Sequence, residues 1–251
     1  MVAGLRFRCI PLLLSPLLLL AVACADQAAA PDSGTQSTAP ADAENAGIVV
    51  VDDQIVLNAK LFGAANDVGV VLAHMRRADQ SAWFPFAQRL ADEGYAVLTF
   101  DFRGYGASGG SEDLDQLDDD LREAVRYLRE DRKKERVFIV GASMGGTAAL
   151  VVAQDGNVLG VVAISAPSTF EEQDALSAVQ QIDVPVLLLA SEDDTAAMLS
   201  LDELLAAATG PKDSETYSGN LHGTDLFQPG SAHNDEIVER VLSFLDGLKG
   251  D

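Results

Sequence analysis

Along the chain from Gly47, runs of consecutive apolar residues alternate with stretches in which apolar side chains return every three or four positions. The first kind reads as strands buried on both faces, the second as helices with one buried stripe. Ile48–Val51 and Ile55–Phe62 flank Asp52-Asp53 and predict a hairpin. Val68–Met75 is a short buried strand, Ser81–Gly94 has helical spacing with Gly94 as its C-cap, and Ala96–Phe102 is the next buried strand. In Asp113–Lys134, Leu114, Leu117, Leu121, Val125 and Leu128 stand at three- and four-residue steps, with acids at the start and bases at the end, as a helix dipole favours. The pattern continues with a strand over Arg136–Gly141, a helix from Gly145 to Gln154 and a strand over Leu159–Ser165. A polar connection (167–183) leads to a strand over Val184–Ser191, and a helix follows at about 196–208. A weak strand at Ser214–Gly219 precedes a last helix over Asn234–Leu248. Repeated strand–helix alternation predicts an α/β fold: a mostly parallel sheet with helices on both faces and its chemistry at the carboxyl ends of the strands.

The first residues break this pattern. Arg6 and Arg8 precede an apolar run from Ile10 to Ala23, which Pro11 and Pro16 interrupt and which is too short to span a bilayer. This is the layout of an export signal over residues 1–24. Its end, Leu20-Ala-Val-Ala-Cys24, resembles a bacterial lipobox, with Ala21 where leucine is usual. The expectation is a lipid-anchored protein of a bacterial cell envelope, modified at Cys24; the alternative is plain secretion after cleavage at Ala21-Val-Ala23. Residues 25–46 are rich in Ala, Pro, Ser, Thr and Asp with almost no large apolar side chains, which predicts a flexible tether. The remaining roughly 205 residues, 47–251, suit one domain with a sizeable core.

Charge and cysteine usage narrow the partners. The formal net charge is −22, from 39 acidic and 17 basic residues, which argues against nucleic acid or an anionic bilayer as a binding surface. Any membrane contact is expected only through the lipid. The two cysteines are Cys9 and Cys24. Cys9 leaves with the signal, so the mature chain forms no internal disulfide and relies on packing.

Three glycines crowd one turn. Gly141-Ala-Ser143-Met-Gly145 is a G-x-S-x-G sequence placed between a predicted strand and a predicted helix, with Gly146 beside it. Glycine inside an element costs about 0.5–1 kcal/mol relative to alanine, so three of them point to a backbone requirement. In a strand–turn–helix setting, the serine is held in a tight conformation with its hydroxyl exposed near a helix N-terminus, where the Met144 N–H can meet a developing oxyanion. A serine hydroxyl needs a base. The histidines are His74, His222 and His233. His74 ends the third strand ahead of the serine, and His233 opens the last helix, where a capping or surface role fits. His222 lies in a loop between Gly219 and Gly223, after the serine, and is the candidate base. The base needs a carboxylate to set its tautomer. Glu192-Asp193-Asp194 follows a buried strand between the serine and His222; Asp194 is favoured by its distance past the strand end, with Asp193 the alternative. Metal-ligand spacings and Gly-rich phosphate loops are absent, so no metal or cofactor is implied.

The order Ser, Asp, His, together with "FDFRGYGASGG" (100–110), resembles the α/β-hydrolase superfamily over the whole predicted domain. The resemblance implies a central sheet of about eight strands and hydrolysis of a small-molecule carboxylic ester through an acyl-enzyme. It also implies that Asp101 and Arg103 order the loop beside the serine turn. The second oxyanion donor would come from the turn after the third strand. Relatives carry His-Gly there and this chain has His74-Met75, so Met75 or Arg76 is the candidate. Met75 cannot take a positive φ without strain, and the hole is expected to be shaped differently. Many relatives insert a cap domain where this chain has only Pro167–Asp183. "TFEEQDALSAVQQI" is expected to form one short helix with Phe170, Leu176 and Val179 facing the site. Such a minimal cap implies an open, shallow pocket for small or soluble acyl groups.

Overall fold

Why the apolar runs become strands is visible in how they are covered. The computed structural model describes residues 38–50 and 54–250, all within one compact unit. The expected signal, Cys24, most of the tether and the Asp52-Asp53 turn lie outside the described residues. Among the described residues, an eight-stranded sheet is built from β1 (Glu44–Val50), β2 (Ile55–Phe62), β3 (Val68–Ala73), β4 (Tyr95–Phe100), β5 (Arg136–Ala142), β6 (Gly160–Ile164), β9 (Val186–Ser191) and β10 (Lys212–Tyr217). Two further strands, β7 (Thr169–Phe170) and β8 (Gln173–Asp174), pair only with each other. The order across the sheet is β1-β2-β4-β3-β5-β6-β9-β10. β1 and β2, and β2 and β4, are antiparallel; every other neighbouring pair is parallel.

Every residue of β3, β4, β6 and β9 is buried. The side-chain period of two divides each of these strands between two apolar layers. In β3, Val71 and Ala73 face one layer and Val70 and Leu72 the other; in β5, Val137 and Ile139 oppose Phe138 and Val140. The first layer is closed by α2 (Leu117–Arg126), α3 (Met144–Ala153) and α5 (Thr195–Ala207), the second by α1 (Phe84–Asp92) and α6 (Asn234–Leu248). Leu117, Leu121, Val125 and Leu128 form one buried stripe, as their spacing predicts, although the last of them sits in a π-turn over Tyr127–Asp131. No described helix is long and apolar enough to cross a membrane.

Two expectations change. β1 begins at Glu44, so the folded region starts three positions before the compositional boundary at Gly47. Glu44 is polar, but its place at the edge of the sheet leaves it exposed, with its carboxylate on Arg132. The connection over 167–183 is also not one helix. It folds as the β7–β8 hairpin around Glu171 (φ 50°), then a single helical turn, α4 (Ala175–Ala178), capped by Asp174. Val179 is buried in the first layer and Phe170 packs against it. Gln173 ties the hairpin to α2 through the Asp115 carbonyl and Asp118. The apolar residues were legible, but they cover α2 and α3 and do not make a lid helix.

The chain reverses direction across the sheet at β3: its next strand, β4, lies on one side and the following one, β5, on the other. A crevice forms outside the carboxyl ends of strands at such a point. The ends of β3, β5, β6 and β9 therefore lie side by side along one edge, and the candidate residues follow them.

Candidate active site

Ser143 follows β5 directly, with φ 51° and ψ −120°, a conformation that costs a non-glycine residue about 1–3 kcal/mol. The surroundings hold it there. Its N–H donates to the Ile164 carbonyl at 2.8 Å, and its carbonyl accepts from Gly146 and Thr147 at 2.8 and 3.0 Å. The glycines explain why the bend is possible. A Cβ on Gly141 would lie 2.2 Å from the Gly145 oxygen, and one on Gly145 would lie 2.6 Å from the Ala73 carbonyl oxygen. Strand β5, helix α3 and the end of β3 approach more closely than any side chain allows.

His222 stands immediately before a 3-10 turn over Gly223–Phe227. Its Nε2 is 2.8 Å from Ser143 Oγ and its Nδ1 is 2.5 Å from Asp194 Oδ2. A carboxylate only accepts, so the imidazole donates through Nδ1–H and leaves Nε2 to accept the serine proton. Asp194 is the N-cap of α5 and accepts the Ala197 N–H through its other oxygen at 3.4 Å. The helix start and the imidazole therefore share one carboxylate, whose side chain is only 14% exposed against 41% for His222. Asp193 lies exposed one position earlier and meets the His222 loop through its backbone N–H on the Gly219 carbonyl. Of the two acids, Asp194 is the one brought to His222.

The other histidines do different things. His74 is fully buried after β3: Nδ1 donates to the Met75 carbonyl at 2.8 Å and Nε2 accepts the Phe102 N–H at 3.1 Å. Burial, partly opposed by the Met75 carbonyl and by Asp101 and Asp79, holds its pKa below the ordinary value. His233 opens α6 and bonds Glu236 at 2.9 Å and Ser218 at 2.8 Å.

Met144 begins α3 directly after Ser143, and Met75 and Arg76 follow His74. The left-handed residue of the β3 turn is Arg77, with φ 65°, and Met75 keeps a negative φ. The strain expected at Met75 is thus displaced by two residues. Arg76 directs its guanidinium to Glu112, 3.5 Å away, and Glu112 accepts the Tyr105 hydroxyl at 2.7 Å. Burial first, then the bond to Glu112, pushes the Tyr105 hydroxyl up to about 12.

Asp101 accepts from the Gln80 N–H at 2.8 Å, the Asn58 amide at 3.0 Å and the Ala107 N–H at 3.1 Å, which fixes the loop after β4. Arg103 bonds Asp120 through its N–H at 2.8 Å, Nε at 2.9 Å and Nη2 at 2.7 Å, in a pair almost wholly buried. Asp120 was not singled out by sequence: it stands in the run Asp118-Asp119-Asp120 and reads like its solvated neighbours. The helical period, which puts it one position before Leu121 and three after Leu117, was the available signal. Ser165 and Ser191, at the ends of β6 and β9, carry no sequence signal of a role. Both lie under the His222 loop: Ser165 Oγ accepts the Gly223 N–H at 3.1 Å, and Ser191 Oγ donates to the Leu221 carbonyl at 2.5 Å.

A strained serine after the fifth strand, with a histidine and an acid delivered by later loops at the sheet's switch point, is the arrangement of the α/β-hydrolase fold, which this chain adopts. A family model described as "Serine aminopeptidase, S33" matches residues 65–174. The chain is 32% identical over 103 residues to the uncharacterized protein YfhR of Escherichia coli K12, a match spanning 40% of this chain and 36% of YfhR. It is 30% identical over 171 residues to the quorum-quenching protein AidA of Acinetobacter baumannii, spanning 61% of this chain and 55% of AidA. The chain thus spans between a third and just over half of the length of these relatives. Among solved structures, the Pyrococcus furiosus esterase Pf2001 superposes with a TM-score of 0.70 at 22% identity, covering 83% of this chain and 93% of that one. The α/β hydrolase GrgF of Penicillium matches with a TM-score of 0.70 at 18% identity over 82% and 98%.

Proposed function

We propose that the protein is a serine esterase that hydrolyses small or soluble carboxylic esters. Ser143 Oγ attacks the ester carbonyl as His222 Nε2 takes its proton, and Asp194 holds the imidazole in the Nδ1–H form and stabilises the imidazolium. The Met144 N–H and one N–H from Met75 or Arg76 receive the tetrahedral oxyanion, each such donor contributing on the order of 3 kcal/mol to the transition state. His222 returns the proton to the leaving alcohol, and water resolves the acyl-enzyme by the same route. The observation that carries this reading is the unbroken hydrogen-bonded line from Ser143 Oγ through His222 to Asp194. The lack of a lid helix over 167–183 supports small acyl groups.

A panel of p-nitrophenyl esters from acetate to palmitate, with Ser143→Ala as control, tests it. Turnover is expected to fall with chain length and to vanish in the variant; equal turnover by variant and parent removes the esterase reading. The match to a serine aminopeptidase model favours amide cleavage as a second reading, so aminoacyl p-nitroanilides belong in the panel. A parent that a fluorophosphonate does not label at Ser143 would instead be a binding protein on an inactive fold.

The proposal extends to the cell envelope: the basic start, apolar run and Cys24 support lipid anchoring. Radiolabelled palmitate is expected to mark the parent but not Cys24→Ala, which should leave the membrane fraction. Labelling of the variant would refute the assignment.

A further inference from the structure

We infer that Ser165 and Ser191 are positioning residues that clamp the His222 loop and set both of its hydrogen bonds; the inference rests on the reading of Ser143 and His222 as nucleophile and base. The two serines meet the backbone on either side of the histidine. Ser191 Oγ donates to the Leu221 carbonyl at 2.5 Å, and Ser165 Oγ accepts the Gly223 N–H at 3.1 Å. Ser191 is fully buried and Ser165 nearly so, which shields both bonds from water.

Each serine shares its anchor with one partner of His222. The Ile164 carbonyl, one peptide before Ser165, accepts the Ser143 N–H at 2.8 Å. The end of β6 therefore holds the nucleophile and the histidine loop from adjacent residues. Ser191 does the same for the acid: its carbonyl accepts the Asp194 N–H at 3.1 Å while its hydroxyl holds Leu221. The 2.8 Å Ser143–His222 distance is referenced to β6, and the 2.5 Å His222–Asp194 distance to β9.

The backbone of Ser165 adds an independent observation. Its φ is 49°, a left-handed value that glycine would take without strain, while its N–H is fixed to the Leu189 carbonyl at 2.7 Å. Glycine would satisfy that bend without strain. The hydroxyl is what a glycine lacks.

Ser165→Gly consequently separates positioning from stability, because it relaxes the backbone and removes only the clamp. With p-nitrophenyl acetate, Ser165→Gly and Ser191→Ala are each expected to lower kcat about tenfold or more, since a shift of 1 Å at reacting atoms costs about a hundredfold. KM should stay within about twofold, and the Tm of Ser165→Gly should be unchanged or raised. The downfield NMR resonance of the His222 Nδ1 proton should broaden or disappear in both variants. If Ser191→Ala does not fold, Ser165→Gly decides. A kcat within twofold of the parent, with that resonance unchanged, overturns the clamp. A parent inert to both esters and fluorophosphonate overturns the esterase reading instead. The resonance still judges the clamp in that case, its loss in Ser165→Gly supporting the inference and its persistence refuting it.

Discussion

Gly145→Ala adds one methyl group where three elements converge. The new Cβ would lie 2.6 Å from the Ala73 oxygen and 2.7 Å from the His74 oxygen, both backbone atoms at the end of β3. Ordinary carbon–oxygen contact begins roughly 0.6–0.8 Å further out, on the scale of optimal non-bonded separations. Neither carbonyl swings away as a flexible side chain would, so the start of α3 must retreat from β3 by several tenths of an ångström. Overpacking of this kind costs about 1–3 kcal/mol. Ser143 lies two residues upstream and would be carried with the helix, lengthening its 2.8 Å bond to His222. With about a hundredfold lost per ångström of misplacement, kcat should fall roughly 10- to 100-fold while KM changes much less. Urea unfolding and p-nitrophenyl acetate kinetics on the same preparation measure both effects. Gly247→Ala is the control, since its Cβ meets nothing within 4 Å on the exposed face of α6, and there alanine should stabilise by up to about 1 kcal/mol. A Gly145→Ala protein as stable and as active as the parent would refute the argument from close approach.

Asp194→Asn keeps a side-chain oxygen for the α5 cap but loses the tautomer control, so kcat should drop by about four orders of magnitude with little change in Tm, whereas Asp193→Asn should stay within a few-fold of the parent. Asp120→Ala removes the buried carboxylate that Arg103 bonds through three of its nitrogens and should destabilise by about 3–5 kcal/mol in urea unfolding, while Arg103→Met with Asp120→Leu together should cost less. His74, held below its ordinary value of 6.5 by burial, is protonated first in the unfolded chain. Its contribution is complete above about pH 6.5 and is lost as the pH falls towards the folded pKa, at up to about 1.4 kcal/mol per pH unit. His74→Gln should therefore show a shallower loss of stability than the parent as the pH falls below about 6.5, and equal slopes would contradict the assignment.

Apolar runs and helical periodicity located the strands of the eight-stranded sheet and the helices that cover it, because an unbroken apolar run or a three-to-four-residue return is a direct consequence of which faces are covered. Leu117, Leu121, Val125 and Leu128 could be placed on one stripe without coordinates, and their burial follows. The serine was legible for a similar reason: three clustered glycines have few explanations other than close backbone approach. Periodicity reports neighbours along one element, and it is silent about which elements meet. The choice of Asp194 over Asp193 depends on where α5 starts relative to a loop 28 residues later in the chain. Asp120 looked like any acid in an acidic run until the fold buried it against Arg103. Phe170 and Val179 were recognisable as apolar, but their face depended on where α2 and α3 lie beneath them. Ser165 and Ser191 carry nothing unusual in sequence; they gain a role because adjacent parallel strands end side by side under the same histidine loop. Local chemistry decided which residues were able to react. Long-range packing decided which of them were brought within a hydrogen bond of one another.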